Sequence, residues 1–187
     1  MSNITKKALA GSLKKILSKK EFNKITINDI TEDCGVNRQT FYYHFKDIYD
    51  LLEWIYTNEV IGKTKNLETD NPTENWQQEF LCVFEYIIEN KKFVYNTYYS
   101  VSRSFFLNFV YHQTNLVLTK AVNEKSKNMN IDEKNKKFIA DFYKYAFVGL
   151  VQEWIENGME ENPEEIINKL SLMLDGNFDN AIKRLSF

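Results

Sequence analysis

The stretch Thr26–Phe45, TINDITEDCGVNRQTFYYHF, constrains the chain more than any other. It specifies two short helices joined by a tight turn. Thr26 is a good N-cap, and Asp29 stands at the third helical position, where a carboxylate favours a helix start. Ile27, Ile30 and Thr31 supply one turn of inward face. Cys34-Gly35-Val36 then breaks the pattern where a turn between helices needs a residue tolerant of positive φ. Asn37 caps a second helix that continues from Arg38 to Phe45. Phe41 and Phe45 lie four apart and share an inward face, which leaves Arg38, Gln39, Thr40, Tyr42, Tyr43 and His44 outside. An exposed helix of this kind suits a DNA major groove. Arg and Gln form bidentate contacts to base edges, and Thr and Tyr hydroxyls reach phosphate oxygens.

The residues Ile25-Thr26-Ile27-x-Asp29-Ile30, then Gly35-Val36-x-Arg38-x-Thr40-Phe41-Tyr42-Tyr43-His44-Phe45-Lys46, then Asp50-Leu51-Leu52, closely resemble the DNA-binding domain of the TetR family of bacterial transcription regulators. The flanking form Asn37 to Asp47 looks like the branch that includes dihydroxyacetone-kinase operon regulators. The resemblance implies that Asn37, Arg38, Gln39 and Thr40 read bases or the adjacent backbone. Tyr42, Tyr43, His44, Lys46 and the helix terminus at Thr26 would hold phosphates. The family often has a basic, phosphate-contacting residue where this chain has Ile48, which leaves Lys46 to cover part of that role.

Net charge is −2, an unpromising value for a DNA binder until the chain is divided. Residues 1–47 hold nine basic and five acidic side chains, net +4, and the other 140 residues hold 15 basic and 21 acidic, net −6. Positive potential is thereby concentrated on the end expected to face phosphate, and this argument is independent of the family resemblance. With 187 residues the chain suits a small reader and one larger helical domain. Six glycines and two prolines disfavour a turn-rich β architecture. No apolar run approaches a membrane span and the first residues lack a signal-peptide core, so the expected location is cytoplasmic. Cys34 and Cys82 lack a CxxC spacing and read as buried free thiols.

The expected fold is all-α. A first helix over about Thr5–Lys20 carries Leu9, Leu13, Ile16 and Leu17 on one stripe, completing a three-helix DNA-binding bundle in residues 1–47. A fourth helix, 47–63, links it to a helical regulatory and dimerisation domain, 64–187. Within that domain, Asn71-Pro72-Thr73-Glu74 reads as a helix start, and shorter and longer helices follow over Phe93–Ser100 and Ser102–Lys125. Ile131–Met159 is the longest helix, capped by Asp132 and stopped near Gly158, and its apolar residues cover more than one stripe. The last helix starts at Pro163, and a short tail follows Gly176. In the family the last two long helices form a four-helix dimer interface. That implies homodimer candidates Phe142, Phe147, Leu150, Val151, Ile167, Leu170 and Leu174.

Nothing in the sequence reads as catalytic. His44 and His112 are the only histidines, neither in a metal-ligand spacing, and no phosphate-cradling or nucleophile motif is present. The chain is expected to be no enzyme and to carry no cofactor or metal. The aromatic crowding of the central third is mostly core by ordinary expectation. If it encloses a pocket, Tyr95, Tyr98, Tyr99, Phe105, Phe109 and Trp154 are the candidates for a small apolar or aromatic effector. The expected partners are double-stranded DNA, a second copy, and that effector, with a protein co-regulator docking on the helical domain as the alternative.

Overall fold

The computed structural model describes residues 2–64, 76–100, 102–174 and 176–186, and these form ten α-helices with no strand among them. They are α1 (Ser2–Leu17), α2 (Ile27–Cys34), α3 (Arg38–His44), α4 (Ile48–Thr64), α5 (Trp76–Glu89), α6 (Lys91–Tyr98), α7 (Arg103–Lys125), α8 (Glu133–Glu156), α9 (Pro163–Leu174) and α10 (Asn177–Arg184). The expected helix start at Pro72 lies outside the described residues. The short tail after Gly176 forms α10, which buries Phe178 and Ile182 on one face.

Compactness divides the chain into two units. The first comprises residues 1–61 and 89–109, and the second residues 62–88 and 110–187. In the first, Leu9, Leu13 and Leu17 of α1 are buried together with Ile30, Phe41 and Phe45, and Leu51, Leu52 and Ile55 of α4 are fully buried as well. Burying this many apolar side chains is the main term holding three short helices together, at about 1.5–3 kcal/mol for each fully buried large side chain. Tyr56 lies buried among Phe93, Phe106 and Phe109. The hydroxyl of Thr97 donates to the Phe93 and Val94 carbonyls, which leaves its oxygen to accept from Tyr56. Burial pushes the Tyr56 phenol far above its ordinary pKa, so it stays a neutral donor.

In the second unit α8 is the central element. Phe80 of α5 stacks on Phe147 with centroids 4.0 Å apart, and Phe84 meets Trp154 edge-on at 4.9 Å. Asp132 caps α8 by accepting from the Asn135 amide at 2.6 Å. The helix ends with Gly158 at φ 78°, where the Met159 amide donates to the Trp154 carbonyl at 2.8 Å. Trp154 also donates its indole N–H to the Glu161 carbonyl at 2.9 Å, tying the α8–α9 turn to the core.

Candidate nucleic-acid interface

The reader is assembled from local hydrogen bonds. Thr26 and Asp29 form a reciprocal capping box. The Asp29 amide donates to Thr26 Oγ1 at 3.2 Å, and the Thr26 amide donates to Asp29 Oδ2 at 2.7 Å. The Lys20 ammonium adds a further bond to Asp29 at 2.9 Å. Together, the lysine first and the Thr26 donors after it, they hold the Asp29 carboxyl down at about 2. α2 stops at Gly35, whose φ of 71° is left-handed, and the Val36 amide closes the end onto the Thr31 carbonyl at 3.0 Å. A side chain at Gly35 would meet no neighbour, so backbone conformation alone makes glycine the favoured residue there.

Asn37 caps α3, accepting from the Thr40 amide at 2.8 Å and the Thr40 hydroxyl at 2.9 Å. Both side chains are therefore committed to building the helix end, which leaves recognition mainly to their neighbours. Phe41 and Phe45 are buried, while Arg38, Gln39, Tyr42 and Tyr43 project outward, Tyr43 with 82% of its surface open. The Arg38 guanidinium lies over the Tyr42 ring at 5.6 Å and donates to its hydroxyl at 3.2 Å. This pairing holds the two exposed side chains in one arrangement before any partner arrives. Asn37, Gln39, Thr40 and Tyr43 line a shallow open concavity on the same surface. His44 is half-buried with its ring against Tyr43, and Lys46 extends into solvent past the end of α3.

The lysines divide by tertiary position. Lys14 pairs with Glu59 at 2.6 Å, Lys15 with Asp33 at 2.5 Å, Lys20 with Asp29, and Lys24 with Glu21 at 3.1 Å. Those four charges are largely balanced inside the unit. Lys6 instead lies over the rings of Phe45 and Trp54, at 5.4 and 5.9 Å, beside the end of α3. The sequence marks the α1 lysines as a class; only the packing of α1 against Phe45 singles out Lys6. Ile48, where a basic residue is common in the family, is half-buried.

The aromatic pocket candidates do not gather around one cavity. Tyr98 and Phe109 are buried in packed ring contacts, and Tyr98 accepts a hydrogen bond from Arg103 at 2.5 Å. Tyr95 and Tyr99 are exposed and touch one another, Phe105 stacks on Tyr49, and Trp154 belongs to the core of the other unit. Single-helix spacing could not separate these environments, because each depends on which element packs alongside. The dimer candidates also divide. Phe147, Val151 and Ile167 are buried within the single chain. Leu170 and Leu174 are half-buried, while Phe142 and Leu150 are exposed, and Phe138, Tyr145, Leu172 and Met173 join them on the surface. The side chains of Cys34 and Cys82 are half-buried rather than buried.

A capped helix, a left-handed glycine and a second helix with an outward polar face make this all-helical chain a helix-turn-helix protein. It belongs to the TetR family: residues 13–55 match the profile of the bacterial regulatory proteins of that family, and residues 74–176 match a transcriptional regulator C-terminal region. Among its relatives is the HTH-type dhaKLM operon transcriptional activator DhaS of Lactococcus lactis, 28% identical over 173 residues, 90% of each chain. An uncharacterized HTH-type transcriptional regulator of Bacillus subtilis, YerO, is 32% identical over 88 residues, 43% of this chain and 30% of that one. The solved structure of the dihydroxyacetone kinase operon activator DhaS superposes with a TM-score of 0.72 at 24% identity, covering 98% of this chain and 99% of that one. NalD, the secondary repressor of a multidrug efflux pump in Pseudomonas aeruginosa, shares the fold with a TM-score of 0.62 at 11% identity, covering 98% of each chain. The chain is thus a DNA-binding transcriptional regulator and not an enzyme. No helix among the described residues is long and apolar enough to cross a membrane.

Proposed function

We propose that the protein acts in the cytoplasm as a homodimer on a pseudo-palindromic operator, with α3 in the major groove and a small-molecule effector gating release or engagement. Residues 1–47 would be the reader, α4 the link, and residues 64–187 the regulatory and dimerisation domain. One observation carries the DNA reading. The outward face of α3 holds Arg38, Gln39, Tyr42 and Tyr43, while Phe41 and Phe45 alone anchor the helix to its core. Those four side chains are available to a partner, and their chemistry is that of base edges and phosphates. Arg38 is the principal base reader in this proposal. Tyr42, Tyr43, Lys46 and Lys6 hold phosphates, and Asn37 and Thr40 position them.

Dimerisation is supported by Phe138, Phe142 and Tyr145, three large, mostly exposed aromatic side chains that recur on one face of α8. Two readers would then address half-sites about 34–36 Å apart. An effector that prefers one arrangement of α4 would alter that separation, a coupling typically worth about 1–3 kcal/mol. The similarity to DhaS supports activation as the sense of regulation. A second reading, a protein co-regulator in place of the small molecule, is favoured by the adjoining exposed rings of Tyr95 and Tyr99, 4.5 Å apart on α6.

Selection of bound duplexes from a random pool, followed by titration of the winner at two salt concentrations, tests the core of this proposal. A pseudo-palindrome bound by two chains with a steep salt dependence is expected. A folded protein that enriches no sequence, with or without effector, would overturn it.

A further inference from the structure

On the outward face of α3 two exposed side chains are held together. The Arg38 guanidinium lies over the Tyr42 ring at 5.6 Å, and its Nη2 donates to the Tyr42 hydroxyl at 3.2 Å. The Tyr42 ring in turn stands edge-on to Phe41, with centroids 5.8 Å apart, and Phe41 is fully buried. A line of contacts therefore runs from the core of the reader through one aromatic ring to the guanidinium. Arg38 and Tyr42 are one helical turn apart, so the helix itself brings them together. A free arginine samples many rotamers and loses that freedom when it docks. A ring beneath it and a bond at its tip remove part of that loss beforehand.

The pair keeps hydrogen-bonding capacity for a partner. Arg38 has five N–H donors and uses one on Tyr42, which leaves enough for two parallel bonds. Tyr42 accepts through its oxygen and retains its own proton for a phosphate. Because the partner is a phenol and not a carboxylate, it leaves the guanidinium charge uncompensated. Of the four bases, guanine alone presents two adjacent acceptors, N7 and O6, on its major-groove edge. Adenine sets an amino donor beside its N7, cytosine offers a donor, and thymine joins a single acceptor to a methyl group.

We propose that Tyr42 is a positioning residue for Arg38 and that the pair selects a guanine in each half-site. Arg38 makes two bonds to N7 and O6. Tyr42 holds the guanidinium in place and, through the same hydroxyl, ties the base contact to a phosphate of the backbone. The proposal rests on the reading that α3 lies in the major groove, and adds to it which base is read and what sets the geometry.

The test uses the full-length protein and the duplex it selects from a random pool. Each guanine of the selected half-site is replaced in turn by 7-deazaguanine, which carries carbon in place of N7 and still pairs with cytosine. At one position the native protein is expected to bind about tenfold more weakly. Arg38→Lys keeps the charge but lacks the planar fork, and should bring the two duplexes to equal affinity. Tyr42→Phe keeps the ring and removes only an exposed hydroxyl. It should leave the unfolding midpoint unchanged and reduce the tenfold ratio to about two- to threefold. Equal weakening on both duplexes, with the ratio retained, would make Tyr42 a phosphate contact alone and overturn its positioning role. A ratio retained in Arg38→Lys would give the guanine to another residue. A half-site without guanine, or one in which no replacement weakens binding, overturns the guanine assignment, and α3 remains the reader if Arg38→Ala and Gln39→Ala still weaken binding. If those two variants bind the selected duplex as the native protein does, α3 is not the reading helix and both readings fall.

Discussion

The outward faces of α3 and α8 are both open to solvent, yet they are built from opposite chemistry. On α3 the phenylalanines point inward and the surface carries a guanidinium, an amide and two phenols. On α8 the core takes Ile139, Phe147, Val148 and Val151, and the surface still carries Phe138, Phe142 and Tyr145. The first face gives hydrogen bonds with direction and asks for a partner whose groups are fixed in space, as base edges and phosphates are. The second gives only area and asks for another apolar face. In the proposed dimer one chain would separate recognition, which needs geometry, from assembly, which needs surface to bury.

The contrast is broken most severely at Phe142, 62% exposed. Phe142→Asp should leave the monomer folded, because little of that ring is core, and should convert the dimer to monomers in sedimentation velocity. Losing the linked second reader should weaken operator binding by roughly 10²–10⁴-fold. A fully dimeric Phe142→Asp protein would place the interface elsewhere. On the polar face, Arg38→Ala should cost about 1–3 kcal/mol at one base position in a panel of operator variants. Equal loss on every sequence would move Arg38 to a phosphate role. Thr26→Ala removes the cap of α2 and should lower unfolding stability by about 0.5–2 kcal/mol in chemical denaturation. Smaller still, Lys46→Ala should weaken binding evenly across sequences and reduce the salt slope by about one.

The smallest effect concerns pH. The carboxyl of Asp29 is lowered from 3.8 to about 2 in the folded chain, so its contribution is fully present above about pH 4 and fades as pH falls towards 2. Asp29→Asn should therefore flatten the acid limb of the stability profile between those values and leave its shape near neutrality unchanged. An unaltered acid limb would show that Lys20 and Thr26 do not stabilise the ionised form.

The helix-turn-helix was legible in the sequence because its determinants are local. Thr26 with Asp29, Asn37 with Thr40, and Asp132 with Asn135 each act across three residues, and the left-handed turn at Gly35 is a property of one residue. Such bonds close within a single helical turn, so residue type and spacing suffice to find them.

What the sequence by itself determined is therefore the capped helix pair of the helix-turn-helix, the long helices of the second half and the family. What only the tertiary structure decided is which side of each helix is covered. Phe142 and Phe147 are the same residue, five positions and about 140° apart on one helix, and nothing local distinguishes them. Phe147 is core because Phe80 stacks on it, while Phe142 has no comparable burial within its own chain. The same holds for Lys6 against Lys14, one beside the end of α3 and the other paired with Glu59. Burial and pairing are set by contacts between residues distant in sequence, and those exist only once the chain has folded.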